Sequence, residues 1–361
     1  MHIHSLYDVP LTEWPVLCAG WGAPVFRAKQ IVEWLYKRQV MSTVEMTNVP
    51  EALRQKLCES FAGLEGTARV LDNGRPSSGV DCRQTKKLLL ELADGECIET
   101  VIIPAKDRVT VCVSSQAGCA FGCAFCASGV GGLVRNLSQG EILSQVLWAS
   151  REIGKSPNNI VFMGTGEPLT NYENVMGAVR VLNDGKAFNI GARHITLSTC
   201  GVVPGIERLA TEGMQVELSV SLHAPTNAQR DRVMPVNKRW PLEELMAALD
   251  RYIATTNRMV TFEYTLIHGF NDSPQDADAL VHLIRGQGSG ARGQRDERLY
   301  RVNLIPLSPV AEFDGVCPPE KTMWAFLTRL IESGVHATLR LSKGLENDAA
   351  CGQLRLRRRQ G

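Results

Sequence analysis

The 361-residue sequence has no apolar run of about 18 residues, the length a membrane-crossing helix needs. It has almost no net charge, with 39 basic side chains against 38 acidic ones, or +1. Bulk charge therefore gives no reason to expect nucleic acid, and a polyanion would have to meet a local patch. The first ten residues, Met1 to Pro10, hold two histidines and no basic-then-apolar stretch. No signal peptide is expected there, no membrane partner, and the cytoplasm is the default location. A hydrophobic content of 44% with 21% charged residues excludes a disordered or fibrous chain. The length suits about two units, although one α/β barrel can use ~250 residues.

Cysteine, by contrast, is plentiful: eleven residues, at 18, 58, 82, 97, 112, 119, 123, 126, 200, 317 and 351. A disulfide scaffold is a poor explanation for a long, unsecreted chain with its own core. Cys18, Cys58, Cys82, Cys200 and Cys317 read as small buried hydrophobes. Three others are closely spaced and ask for a different account.

The chain changes period along its length. Helical patterns cover Phe26 to Arg38 and Pro50 to Phe61. Strand-like runs at Lys86 to Leu92 and Cys97 to Ile103 flank Asp94-Gly95, a hairpin-turn dipeptide. From residue 109 one unit recurs: a short apolar run, a turn, then a helical stretch. The runs are Thr110–Ser115, Asn159–Gly164, His194–Thr199, Val216–Leu222, Val260–Ile267 and Arg301–Leu307. The helices between and after them include Ser138–Ile153, where Ser138 and Glu141 fit a capping box. Six βα units predict a parallel sheet curved into an open or partial barrel, with chemistry at the C-terminal strand ends. The Gly-rich stretch Gln287 to Gln294 reads as a surface loop, with an RNA contact through its arginines as the alternative. The tail from Leu354 to Gly361, with four arginines, reads as a solvated arm.

Cys119, Cys123 and Cys126 form C-x3-C-x2-C on the loop after the first barrel strand. Three neighbouring thiolates need a soft cation or cluster to offset their repulsion. Structural zinc wants a fourth ligand, and no histidine lies within twenty residues of this loop. Three protein ligands would leave one iron of a [4Fe-4S] cluster open to chelate the amino and carboxylate groups of S-adenosylmethionine. The spacing, and Phe125 before the last cysteine, resemble the radical SAM superfamily. The turn MGTGEPL (163–169), with Gly166 and Glu167, follows the second strand like that superfamily's GGE motif. Ser198 follows in STCG, and Ser221, Leu222 and His223 end the fourth strand. Hydroxyls and amides at successive strand ends suit a ribose and a carboxylate.

Across nearly its whole length the chain resembles the RlmN/Cfr group of radical SAM RNA methyltransferases. The matching segments are FRAKQIVEWLYKR, CVSSQAGCAFGCAFC, MGTGEPL, LSTCG, SVSLHAP, RVMPVNK, VNLIPLSP and DAACGQL. The fold class implied is α/β: a partial (β/α)6 TIM-like radical SAM barrel with a small, mostly helical N-terminal accessory domain and a β-hairpin extension. The corresponding divisions are 1–65, 66–108, 109–345 and a C-terminal loop with basic tail, 346–361. The resemblance implies methylation of an adenosine of 23S rRNA and, for RlmN-type members, of an adenosine in the tRNA anticodon loop. RlmN-type members act on C2 of adenine, Cfr-type members on C8. It implies Cys119, Cys123 and Cys126 as cluster ligands. Gly166, Glu167, Ser198, Ser221, Leu222, His223 and Ser308 would contact S-adenosylmethionine; Ser308 stands where the group usually has Asn. Cys351 would carry the methyl group as S-methylcysteine, and Cys112 would resolve the adduct through a transient disulfide with it. The proton acceptor falls on Glu99, inside the apolar strand CIETVIIP. A carboxylate is seldom buried there without a partner, and the alternative is an edge-strand Glu facing water. An external donor such as a flavodoxin-like protein would supply electrons. Rival readings are Cfr-like C8 chemistry, a radical SAM enzyme with a small-molecule substrate, and a non-catalytic zinc-bound RNA-binding module.

Overall fold

A computed structural model describes residues 5–72, 85–286, 299–310 and 312–340. Four helices open the chain: α1 (Trp14–Gly20), α2 (Phe26–Val32), α3 (Glu51–Ser60) and α4 (Leu64–Thr67). The helix expected over 26–38 is present but changes pitch. Glu33–Lys37 continues α2 as a π-helical segment. That wider turn buries three consecutive residues, Trp34, Leu35 and Tyr36.

The strands then follow: β1 (Ala68–Asp72), β2 (Lys86–Leu92), β3 (Cys97–Pro104), β4 (Val109–Cys112), β5 (Gln116–Gly118) and β6 (Leu133–Asn136). Alternation takes over with α5 (Gln139–Ile153), β7 (Asn159–Phe162), α6 (Tyr172–Asn183), β8 (Ile195–Thr199), α7 (Val203–Ala210) and β9 (Glu217–Ser221). The remainder is α8 (Asn227–Val233), α9 (Leu242–Thr256), β10 (Val260–Leu266), α10 (Pro274–Arg285), β11 (Tyr300–Pro306), α11 (Glu320–Glu332) and β12 (His336–Leu339).

Ten strands form one sheet in the order β1-β2-β3-β4-β7-β8-β9-β10-β11-β12. From β4 to β12 neighbours are parallel, and from β1 to β4 they are antiparallel. The six expected parallel strands are therefore present, and β12 adds a seventh. Its sequence, HATL, is half exposed at the sheet edge and shows no apolar run. The hairpin at Asp94-Gly95 closes through Leu92 N–H donating to Glu96 O, with Gly95 at φ +85°. This is a three-residue loop with Gly in the left-handed position, and β1 adds a third antiparallel strand beside it.

Residue alternation divides the sheet into two unlike faces. On the outer face Val111, Ile160, Leu197, Val220, Phe262 and Val302 are buried in the core against the helices. Register puts Lys87, Glu99, Cys112, Ser198, Ser219, Ser221, Glu263 and Asn303 on the other, inner face. A barrel interior lined by hydroxyls, amides and carboxylates is built for a polar ligand rather than for packing alone. Ser138 and Glu141 form the expected capping box at α5. Arg135 of β6 then reaches both Glu141 oxygens (2.7 and 2.8 Å) and Asp94 of the hairpin (2.6 Å). The hairpin, the cysteine loop and α5 are thus fixed to one another.

Candidate active site

The cysteine loop is a closed excursion between β5 and β6. These two strands pair antiparallel, so residues 119–132 leave and return through one gate. Gly118 makes the gate possible. Its φ is +88°, and a Cβ there would stand 2.0 Å from Gly132 O. Inside the loop Cys119 N–H donates to Gly132 O (3.0 Å), and Ala124 N–H donates to Val233 O of α8 (2.9 Å).

Burial is the main influence on the loop thiols. It raises Cys119 to about 11, helped by the neighbouring Cys126 and Glu167 and opposed by the Phe121 N–H. Cys123 is pushed up further by burial and then by Cys126 and Cys119. Three sulfurs that oppose one another's ionisation fit a group that is itself cationic and soft. The donor set and its partial burial fit an iron–sulfur cluster.

The GTGE turn is locked to the loop's base. Gln116 accepts from Glu167 N–H (2.8 Å) and donates to Asn136 and Thr170. Gly166 has φ +106°, and its Cβ would lie 2.5 Å from Gln116 Cβ. Glu167 is buried, and burial raises its pKa against the pull of two backbone donors. These are Leu169 N–H (3.0 Å) and Cys200 N–H (2.7 Å). The Thr199 and Cys200 side chains hydrogen-bond the same carboxylate, so it is held in one orientation at the end of β8.

His223 sits in the left-handed region at φ +56°. Its Nδ1 accepts from Thr265 N–H (2.9 Å), which leaves the proton of the neutral ring on Nε2. Burial, with Arg230 nearby, lowers its pKa to about 3. Its ring meets Phe125 of the cysteine loop edge-on, with centroids 4.7 Å apart. Asn271 fixes the turn by donating to His223 O and Thr265 O. Ser198 and Ser221 face the same interior at the ends of β8 and β9. Ser308 lies partly exposed just past β11.

Glu99 is buried, not facing water, and Lys87 of β2 stands 3.8 Å away. Cys112, also buried, ends β4 opposite Val101. Cys351 and Cys82, the basic tail and residues 287–298 lie outside the described residues. Of the cysteines expected to be buried hydrophobes, Cys18 and Cys200 are buried, but Cys58 and Cys317 are exposed. Cys58 turns to Thr43 at 2.8 Å, and Cys317 lies in the loop before α11. Cys200 is more than filler, because its backbone and thiol both hydrogen-bond Glu167.

Sequence reasoning passed over Gln116, Lys87, Arg230 and Glu263. Glu263 accepts from Ser219 (3.3 Å) and Asn303 (3.1 Å) on the inner face. Gln116 lies within a quoted motif. Arg230 gave no signal, since a charge in a polar helix reads as solvated.

A parallel barrel with a three-cysteine loop after its first strand and a GxGE turn after its second defines a radical SAM enzyme core. The Radical SAM superfamily matches residues 113–281, and the Ribosomal RNA large subunit methyltransferase N-terminal domain matches residues 5–62. A probable dual-specificity RNA methyltransferase RlmN of Dictyoglomus turgidum is 42% identical over 357 residues, 98% of this chain and 97% of the relative. The Moorella thermoacetica protein of the same description is 46% identical, covering 94% of this chain and 93% of its own. The crystal structure of a radical SAM methyltransferase from Sphaerobacter thermophilus superposes with a TM-score of 0.88 at 43% identity, covering 97% and 98% of the two chains. The chain belongs to the RlmN family of radical SAM RNA methyltransferases. Among the described residues no helix is long and apolar enough to cross a membrane.

Proposed function

We propose that this chain methylates C2 of an adenosine in 23S rRNA and of an adenosine in the tRNA anticodon loop, using a [4Fe-4S] cluster and S-adenosylmethionine. The supporting observation is the placement of Cys112 and Glu99 together on the inner face of the barrel. A radical SAM enzyme for small molecules has no use for a second thiol there. C2 of adenine is an electron-poor sp2 carbon and does not attack a methyl sulfonium directly.

Cys119, Cys123 and Cys126 would hold the cluster. Gly166, Glu167, Ser198, Ser221, Leu222, His223 and Ser308 would hold S-adenosylmethionine. Bound together, the two would supply the radical that removes a hydrogen atom. The remaining work belongs to the chain. Cys351 would take a methyl group from a first S-adenosylmethionine by displacement, with S-adenosylhomocysteine leaving, and carry its carbon to the base, where Glu99 accepts the proton from the ring carbon. Cys112 sulfur then attacks Cys351 sulfur. The carbon–sulfur bond breaks toward the product, whose methylene carbon takes up a proton to become the methyl group. The odd electron of the adduct would return to the one-electron centre held by the three cysteines, and a Cys112–Cys351 disulfide remains, to be reduced by an external thiol.

The base must leave its stack to reach this interior. Residues 1–65 serve as the accessory domain that grips RNA. Arg27 lies over the half-exposed Phe26 ring at 4.7 Å, a basic–aromatic pairing on which a base can stack. Residues 66–108 form the extension, 109–345 the barrel, and 346–361 the catalytic loop and tail. A flavodoxin-like protein delivers electrons.

Mass mapping of modified rRNA and tRNA tests this directly. 2-Methyladenosine in both is expected, and 8-methyladenosine would move the enzyme to the C8 class. Replacing any one of Cys119, Cys123 or Cys126 with Ala should abolish iron retention and S-adenosylmethionine cleavage.

A further inference from the structure

Arg230 lies in α8 and is fully buried, with 0% of its surface exposed. Its donors go to uncharged acceptors: Leu222 O (3.1 Å), Ser221 O (3.1 Å), Cys200 O (2.6 Å) and Asn237 Oδ1 (3.0 Å). Among the described residues no carboxylate pairs with it within 4 Å. A buried cation without a counter-ion is costly. The hydrogen bonds alone do not explain a charge here, because three carbonyls and an amide can be satisfied by neutral donors.

The charge has a nearby beneficiary. The groups that favour the charged form of Arg230 are Cys200, Cys123 and then Asp231. Burial lowers its pKa to about 10, so it stays charged at neutral pH. The same helix touches the cysteine loop directly, through Ala124 N–H to Val233 O. Three thiolates around a [4Fe-4S]2+ core leave a net charge of −1, and one-electron reduction makes it −2. A fixed positive charge beside that site stabilises the reduced form more than the oxidised one.

We propose that Arg230 is a positioning and electrostatic residue whose buried charge raises the reduction potential of the cluster held by Cys119, Cys123 and Cys126. This rests on the cluster reading above. The electron comes from a one-electron protein donor, and no bond to Arg230 forms or breaks. Its four hydrogen bonds, to the ends of β8 and β9 and to Asn237, fix the guanidinium where the charge acts.

The test is an EPR-monitored redox titration of the anaerobically reconstituted full chain. Arg230→Met removes the charge, and Arg230→Lys keeps it while losing the fork geometry. A third protein, the double variant Asn237→Asp with Asp231→Asn, keeps net charge constant. In the wild type Asn237 Nδ2 donates to Asp231 Oδ1 at 2.7 Å, so the exchange moves that carboxylate onto the Arg230 side. Arg230→Met and the exchanged pair should be at least tenfold harder to reduce, a shift of about 59 mV to more negative potential. Arg230→Lys should stay within that interval of wild type. If Arg230→Met loses its cluster, the exchanged pair decides the question alone. Wild-type potentials in the uncharged and exchanged proteins would overturn the proposal. So would Arg230→Lys falling as far as Arg230→Met, which would assign Arg230 to scaffolding. A wild-type protein that binds no iron and gives no EPR signal would instead defeat the cluster reading itself.

Discussion

Glu99 and Cys112 stand on neighbouring antiparallel strands and share the inner face of the sheet, one pair out of step. Cys112 lies opposite Val101, and Glu99 is two residues from Val101. Such diagonal neighbours are about 7–8 Å apart. That gap suits a planar base entering between the proposed proton acceptor, Glu99, and the proposed resolving thiol, Cys112. Glu99→Gln keeps the shape and removes the carboxylate. Methylated RNA should form at least about a hundredfold more slowly, with a protein–RNA adduct accumulating. The adduct is read on a denaturing gel. Because Lys87 loses its ion pair with Glu99, thermal unfolding must be measured alongside. Wild-type turnover would move the proton-acceptor role to another residue.

Two glycines of the cysteine loop separate strain from crowding. Both have positive φ, +88° at Gly118 and +58° at Gly122, but only Gly118 faces an obstacle, Gly132 O at 2.0 Å. Gly122 has open space around its missing Cβ. Gly118→Ala should open the β5–β6 gate and lose most bound iron. Gly122→Ala should cost only the backbone term, about 1 kcal/mol, and retain it. Iron-to-protein ratios after desalting make the comparison. Equal loss from both variants would mean the gate does not shape the loop.

His223 makes the protein sensitive to acid in a defined window. Its folded pKa is near 3 and its ordinary value 6.5. Between those values the unfolded chain takes up a proton that the folded chain refuses, so stability falls as pH drops below 6.5. The slope from this group is about 1.4 kcal/mol per pH unit. Asn tolerates a left-handed φ, and its Oδ1 can accept from Thr265 N–H in place of Nδ1. His223→Asn should therefore fold with similar stability at pH 7.5 and lose less at pH 5. Urea unfolding at the two values decides it; parallel losses in both proteins would place the acid sensitivity elsewhere.

The barrel was legible because its strands alternate in sequence with amphipathic helices, and their outer faces are apolar enough to mark each run. The cysteine loop and the strand-end turns were legible because their chemistry is local. What escaped notice depends on the fold. β12 shows no apolar run at a half-exposed edge, and β5 and β6 are only three and four residues long. α8, NAQRDRV, looks like surface, yet it buries Arg230 because strand ends from residues 200, 221 and 222 supply the carbonyls. No window of sequence around residue 230 contains those partners. Lys87 follows the same rule, since only the register of β2 against β3 brings it to Glu99.

The resolving step gives the last prediction. If Cys112 frees the product from Cys351, Cys112→Ala should join the methylene to the base and leave it there. The protein should then be isolated covalently bound to RNA. Cys351→Ala has no methyl carrier and should never crosslink. The bond between Cys351 sulfur and the new carbon breaks when a second thiol attacks that sulfur, and a carboxylate or water does not replace a thiol in forming a disulfide. Cys112 is buried at 4% exposure, so bulk thiols should not substitute for it readily. The geometry is demanding as well, since a disulfide needs Cα atoms within about 7 Å. Cys112 ends β4 on the inner face, so the proposed disulfide requires Cys351 to reach that end of the strand. Mass spectrometry of nuclease-treated protein would show a nucleotide on Cys351 in Cys112→Ala and none in Cys351→Ala. A Cys112→Ala enzyme that releases methylated RNA at the wild-type rate would remove Cys112 from the mechanism.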